Sequence, residues 1–131
     1  MGKSSIPIGL YFVFRMAPRV AETPVDLQAR LLHGLSDESR LVILAELRGE
    51  ERRVSELVER TGLSQPNVSK HLACLWGCGL VARERRGREV FYRSIEGLDE
   101  LLAAADAVLE RAGETIGACP LADVTIGRHH I

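Results

Sequence analysis

Two cysteines four residues apart, Cys74 and Cys78, are the first pair in the chain whose types and spacing could do chemistry. On a helix that spacing puts both side chains on one side, with β-carbons about 6 Å apart. A disulfide needs about 3.5 to 4.5 Å between those carbons, so the pair is poorly placed to oxidise to one. Thiolates reaching out from two such positions can instead meet on one large, soft metal ion. Cys119, after Gly117 in a C-terminal tail, can supply a third thiolate by folding back over a partner subunit. An all-sulfur site with few ligands favours Cd(II), Pb(II), Hg(II) or As(III), with Zn(II) a lesser candidate. A lone free cysteine is commonly a small buried hydrophobe, so the pairing carries this reading. His129 and His130 stand at the chain end, where solvated side chains are the rule, and His33 reads as structural.

A second set of residues just upstream suits a different task. Ser64, Gln65, Asn67, Ser69, Lys70 and His71 crowd the start of the same segment. Amides and hydroxyls can read base edges in a DNA groove, and a lysine can meet phosphate. The chain as a whole carries a formal charge of -1, so any attraction to nucleic acid has to be local. It is local between Arg83 and Arg93, where five arginines face two glutamates. Arg85, Arg86 and Arg88 are placed to neutralise phosphates, a contact that makes affinity fall with salt.

These side chains need elements to hold them. Leu27, Leu31 and Leu32 recur at helical spacing, and Ser36 can cap a second helix carrying Leu41, Val42, Leu44 and Leu47 that ends at Gly49. Ser55 is placed to cap a third, with Leu57 and Val58, stopping near Gly62. Ser64 caps a fourth, with Pro66 in its first turn and an end near Gly77. Val68, Leu72 and Leu75 form its buried stripe, which leaves the polar residues on the other faces. Beyond Gly79, runs 80–84 and 89–93 flank a glycine-containing tip and read as a hairpin. From Glu96 to Ala112, Leu98, Leu101, Leu102, Ala105, Val108 and Leu109 return to helical spacing. The expected fold is mainly α with a small β-hairpin: a winged helix-turn-helix, dimeric, whose fourth helix enters the major groove.

Three segments carry a family resemblance: Leu35 to Arg40 (LSDESR), Leu63 to Leu72 (LSQPNVSKHL), and the wing ending Val90-Phe91-Tyr92. From about Leu31 to Arg93 the chain resembles the ArsR/SmtB family of metal-responsive repressors. The resemblance implies a homodimer built through the first and last helices, with two reading helices on an imperfect palindrome of operator DNA. It implies no catalysis. Gly49 to Gly62 lacks the Cys-x-Cys pair of the arsenic and cadmium sensors, and Asp99 and Asp106 lack the histidines of the zinc sensors. Cys74 to Val81 is similar instead to the cadmium/lead-sensing members, which use two cysteines of this helix and one from the C-terminal region. On that likeness Cys74 and Cys78 carry over by position and Cys119 by role, and Cd(II) or Pb(II) releases the operator.

Length and composition fit this outline. The chain has 131 residues, 46% hydrophobic and 27% charged, enough for one globular core. Residues 1–24 read as an N-terminal extension expected to be disordered, 25–113 as the DNA-binding and dimerisation domain, and 114–131 as the tail. The apolar run Ile6 to Phe14 is too short to span a bilayer, and three cysteines, an odd number, suit reduced thiols in the cytoplasm better than a disulfide framework. No membrane partner is expected. Three other readings stay open. One is a redox regulator of the same fold using the same cysteines, and another a thiol enzyme, disfavoured because Cys78 stands at a helix C-terminus where the dipole opposes a thiolate. The last is a winged helix that only docks proteins, which the arginine-rich wing argues against.

Overall fold

The structure, a computed structural model, describes residues 23–119. Residues 1–22 of the expected N-terminal extension, and His129 and His130, lie outside the described residues; Thr23 and Pro24, assigned to that extension, instead cap and open the first helix. Helix α1, Pro24–Leu35, begins at a capping box in which Thr23 Oγ1 accepts from the Asp26 N–H and Asp26 accepts from the Thr23 N–H. Helix α2 spans Glu38–Glu46, and its cap is Asp37, which accepts from the Arg40 N–H at 3.0 Å. Ser36, expected in that role, instead closes α1 by donating its hydroxyl to the His33 carbonyl.

A turn from Leu47 to Glu50 leads to a strand that the apolar pattern does not reveal, β1, Arg52–Arg53. Helix α3, Val54–Thr61, follows directly, with Glu56 reaching back to the Arg53 N–H at 2.8 Å. Ser55 is therefore inside the first turn and is not the cap. Gly62 stops α3 in the left-handed region, φ +79°, where a β-carbon would be strained.

Helix α4, Gln65–Gly77, is capped by Ser64, whose hydroxyl accepts from the Asn67 N–H. Its other end is a Schellman closure: Leu80 N–H reaches the Leu75 carbonyl and Gly79 N–H the Trp76 carbonyl. Strands β2, Val81–Arg86, and β3, Glu89–Ser94, form the wing, joined through Gly87-Arg88. The sheet is antiparallel in the order β1-β3-β2, so the unforeseen β1 braces the hairpin from its far edge.

Ile43, Leu44, Leu47, Leu57, Val68, Leu72 and Leu75 form a fully buried core where α2, α3 and α4 meet. Leu80, Val81 and Tyr92 seal it from the wing side. Helix α5, Leu98–Gly117, touches this core only through its start, with Leu98 buried and Leu101 and Leu102 half-buried. It runs past the boundary expected near residue 113, through Gly113 to Gly117. Two side chains on it reach the turn after α2: Asp99 accepts from the Gly49 N–H at 2.9 Å, and Asp106 pairs with Arg48 at 3.1 Å. Among the described residues, no helix is long and apolar enough to cross a membrane.

Candidate nucleic-acid interface and thiol pair

The core stripe fixes which way α4 presents everything else. At 100° per residue, Pro66, Lys70, Ala73 and Gly77 lie within about 50° of the direction opposite the stripe. Gln65, Ser69 and Trp76 share one flank within about 40°, and Asn67, Cys74 and Cys78 share the other within about 40°. The wing stands on the Trp76 flank, since the Arg83 guanidinium of β2 lies over the Trp76 ring at 3.8 Å. One helix thus carries Gln65, Ser69 and Lys70 outward and towards the wing, and the thiols, together with Asn67, on the side away from it.

Of the residues expected to meet DNA, Ser64, Gln65, Ser69 and Lys70 are exposed and Asn67 is half-buried. His71 is not on that surface. It is 7% exposed and packed beside the core stripe. Its position is about 60° from Val68 and about 40° from Leu75 on the helix, at the stripe's edge, so its ring is drawn into the interior. The expectation that His71 faces DNA is corrected by this burial.

The wing separates its arginines in a way composition does not show. Arg85 and Arg88 are exposed and carry no ion pair among the described residues. Arg86 is committed. Its guanidinium grips Glu51 through two bonds, 2.8 and 2.6 Å, bonds Glu84 at 2.9 Å, and lies over the Phe91 ring at 4.6 Å. The hydrogen bond from Arg86 holds the Glu51 carboxyl below the usual carboxylate range. Arg53 faces the same ring at 5.9 Å and pairs with Glu89 at 2.7 Å. Arg86 as a free phosphate contact is therefore a second correction: its charge is already answered by two carboxylates.

The thiols are half assembled. Cys74 and Cys78 are both exposed on the same flank. Partial burial pushes the Cys78 thiol pKa up, and the adjacent Cys74 pushes it further, while Arg40 of α2 opposes them weakly. Cys119 is half-buried just past the end of α5. Among the described residues no three His, Cys, Asp or Glu side chains come together as a metal-holding group. One chain brings Cys74 and Cys78 together and leaves Cys119 apart. Two soft donors on one helix flank fit a thiophilic ion, and a three-thiolate site needs a donor from elsewhere. Two carboxylates of α5 are engaged otherwise, Asp99 with backbone and Asp106 with Arg48.

Residues 37–83 match the family model described as "Bacterial regulatory protein, arsR family". The HTH-type transcriptional regulator CmtR of Mycobacterium tuberculosis is 40% identical over 89 residues, 67% of this chain and 67% of its own length. The chain belongs to the ArsR family. Another relative, a probable mercury resistance operon repressor of Streptomyces lividans, is 43% identical over 75 residues, 55% of this chain. The match spans 60% of that repressor's length. Among solved structures, a homodimeric winged helix-turn-helix DNA-binding domain from Mycobacterium bovis superposes with a TM-score of 0.63 at 28% identity, covering 74% of this chain and 95% of that one. The ArsR fold expected from sequence is thus present, and its relatives are transcriptional regulators and not enzymes. Sequence reasoning missed Arg83 and Trp76; the alternation of Arg83 and Arg85 with Glu84 and Arg86 was the signal available for the first.

Proposed function

We propose that this chain is a metal-responsive transcriptional repressor that binds operator DNA without metal and releases it on capturing a thiophilic ion. Two chains pair through α1 and α5 and set two copies of α4 on an imperfect palindrome. Val25, Leu32, Val108, Leu109 and Ile116, exposed on those two helices, support the pairing. Gln65, Ser69 and Asn67 meet base edges; Ser64, Lys70, Arg85 and Arg88 meet the backbone. Cys74 and Cys78 hold the ion, with Cys119 of the tail as third thiolate. Cd(II) and Pb(II) are the first candidates; Hg(II), suggested by the name of the Streptomyces relative, As(III) and Zn(II) share or approach the same donor preference.

The observation that carries the reading is the thiol pair seated on the reading helix itself. A tie between that flank and the tail acts on the element that touches DNA, with no relay needed. For Cys78 the redox alternative is disfavoured, because redox-sensing cysteines have a depressed pKa and partial burial raises that of Cys78.

The test is a titration of reduced protein with Cd(II), read by ultraviolet thiolate-to-metal charge transfer and by anisotropy of bound operator. The wild type is expected to saturate, with Cys74→Ser, Cys78→Ser and Cys119→Ser each losing part of the band. Operator affinity should fall about 5- to 150-fold with metal, the range of ordinary allosteric coupling. Full retention of operator by the metal-loaded protein would refute release.

A further inference from the structure

Cross-strand pairing sorts the arginines of the wing onto two faces. Arg83 pairs with Tyr92 and Arg85 with Val90, while Glu84 pairs with Phe91 and Arg86 with Glu89. Partners across an antiparallel ladder share a face, so Arg83 and Arg85 stand on one side and Glu84 and Arg86 on the other. The Arg86 side is internally neutralised: Glu51, Glu84 and Glu89 answer Arg86 and Arg53 around the Phe91 ring. The Arg83 side has no carboxylate in its ladder: Val81, Val90, Tyr92 and Ser94 stand beside the two arginines, with Arg52 of β1 paired to Tyr92 on the far strand.

That bare basic side is turned towards α4. Arg83 rests on Trp76 at 3.8 Å, and both are exposed. Trp76 continues the line of Gln65 and Ser69 along α4, about 10 Å farther down the axis than Ser69. The major groove is about 12 Å wide, so a residue that far from a base-reading position stands at the groove edge, where a phosphate strand passes. A guanidinium seated over an indole has lost much of its rotational freedom, yet it still offers N–H donors.

We propose that Arg83, seated on Trp76, and Arg85 are the phosphate-binding arginines of the wing strands, and that Arg86 is a strut holding the hairpin to Glu51. Trp76 is a positioning residue that presents Arg83. This rests on the DNA-binding reading above and assigns its electrostatic contacts.

The phosphate term is independent of sequence, so a labelled 30-base-pair duplex of arbitrary sequence is a sufficient probe. Anisotropy is measured over a range of potassium chloride for the wild type and for Arg83→Gln, Arg85→Gln, Arg86→Gln, Trp76→Leu and Trp76→Phe. Each lost phosphate contact lowers the log-log salt slope by about 0.9. Arg83→Gln and Arg85→Gln are expected to lower it by that amount, and Arg86→Gln to leave it unchanged. Trp76→Leu is expected to weaken binding about three- to tenfold without changing the slope, and Trp76→Phe to restore most of the loss. Circular dichroism of each variant separates loss of contact from loss of fold. A slope reduced by Arg86→Gln and untouched by Arg83→Gln in folded protein would overturn the assignment. A wild type whose affinity ignores salt would instead overturn the DNA-binding reading, and this one with it.

Discussion

Leu109→Ala should weaken self-association about 30-fold while leaving each chain folded. Leu109 is 49% exposed and Val108 55% exposed on a helix whose C-terminal two-thirds contacts no core. Complete burial of such a side chain contributes about 1.5 to 3 kcal/mol, so covering the exposed half contributes about 1 kcal/mol. A two-fold interface uses each residue twice, which makes about 2 kcal/mol for the pair of Leu109 side chains. At about 1.4 kcal/mol per decade that is roughly a 30-fold rise in the dimer dissociation constant. Alanine is the best helix former, so α5 itself is not weakened. Sedimentation equilibrium across nanomolar to micromolar chain measures the constant, with Glu110→Ala as a control for helix change alone. An unchanged constant for Leu109→Ala, or a wild type monomeric at tens of micromolar, would refute the pairing of chains through α5.

Three further outcomes follow from the site. Cys78 must lose its proton to ligate, and burial and Cys74 hold that proton on, so apparent metal affinity should rise about tenfold per pH unit from Cys78 alone. The rise should continue above the ordinary thiol pKa of about 8.5, and chelator competition from pH 6 to 9 reads it; a flat profile would remove Cys78 from the ligand set. The same raised value means the metal-free fold keeps this contribution below the ordinary thiol pKa and loses it as pH climbs through the folded-state value. Ser64→Ala should cost about 1 kcal/mol in urea unfolding through loss of the α4 cap, and Ser64→Asp should keep most of that stability while weakening duplex binding through added negative charge.

What sequence could reach was local. The α4 stripe, the Ser64 cap and the Gly62 stop were legible because each depends on residues within four positions. Ser36 misled because Asp37 stands beside it, and the carboxylate took the Arg40 N–H while the serine finished the preceding helix. Strand β1 has two residues and no periodicity; it exists through pairing with Phe91 and Tyr92, almost forty positions away. The role of Arg86 was equally hidden, since Glu51 lies 35 residues upstream. His71 was weighed by its chemical type when its angle beside Leu75 already placed it at the core. Among the thiols, spacing sufficed for Cys74 and Cys78, whereas Cys119 sits on another helix end whose neighbour across a dimer no intrachain pattern encodes.

The division of α4 into flanks has a mechanical consequence. A helix with a handle on one side and a tool on the other is a crank, and its axis is pinned here by Val68, Leu72 and Leu75. Sulfur at a cysteine tip lies about 5 Å from that axis, given backbone at about 2.3 Å. A sideways pull of about 1 Å on the thiols is then a roll of about 11°, and it swings the tip of Ser69 by almost 1 Å and that of the longer Gln65 by more. Hydrogen bonds tolerate only a few tenths of an ångström before they weaken, so under the proposed function a small torque at Cys74 and Cys78 is gearing enough to disengage the base-reading side chains.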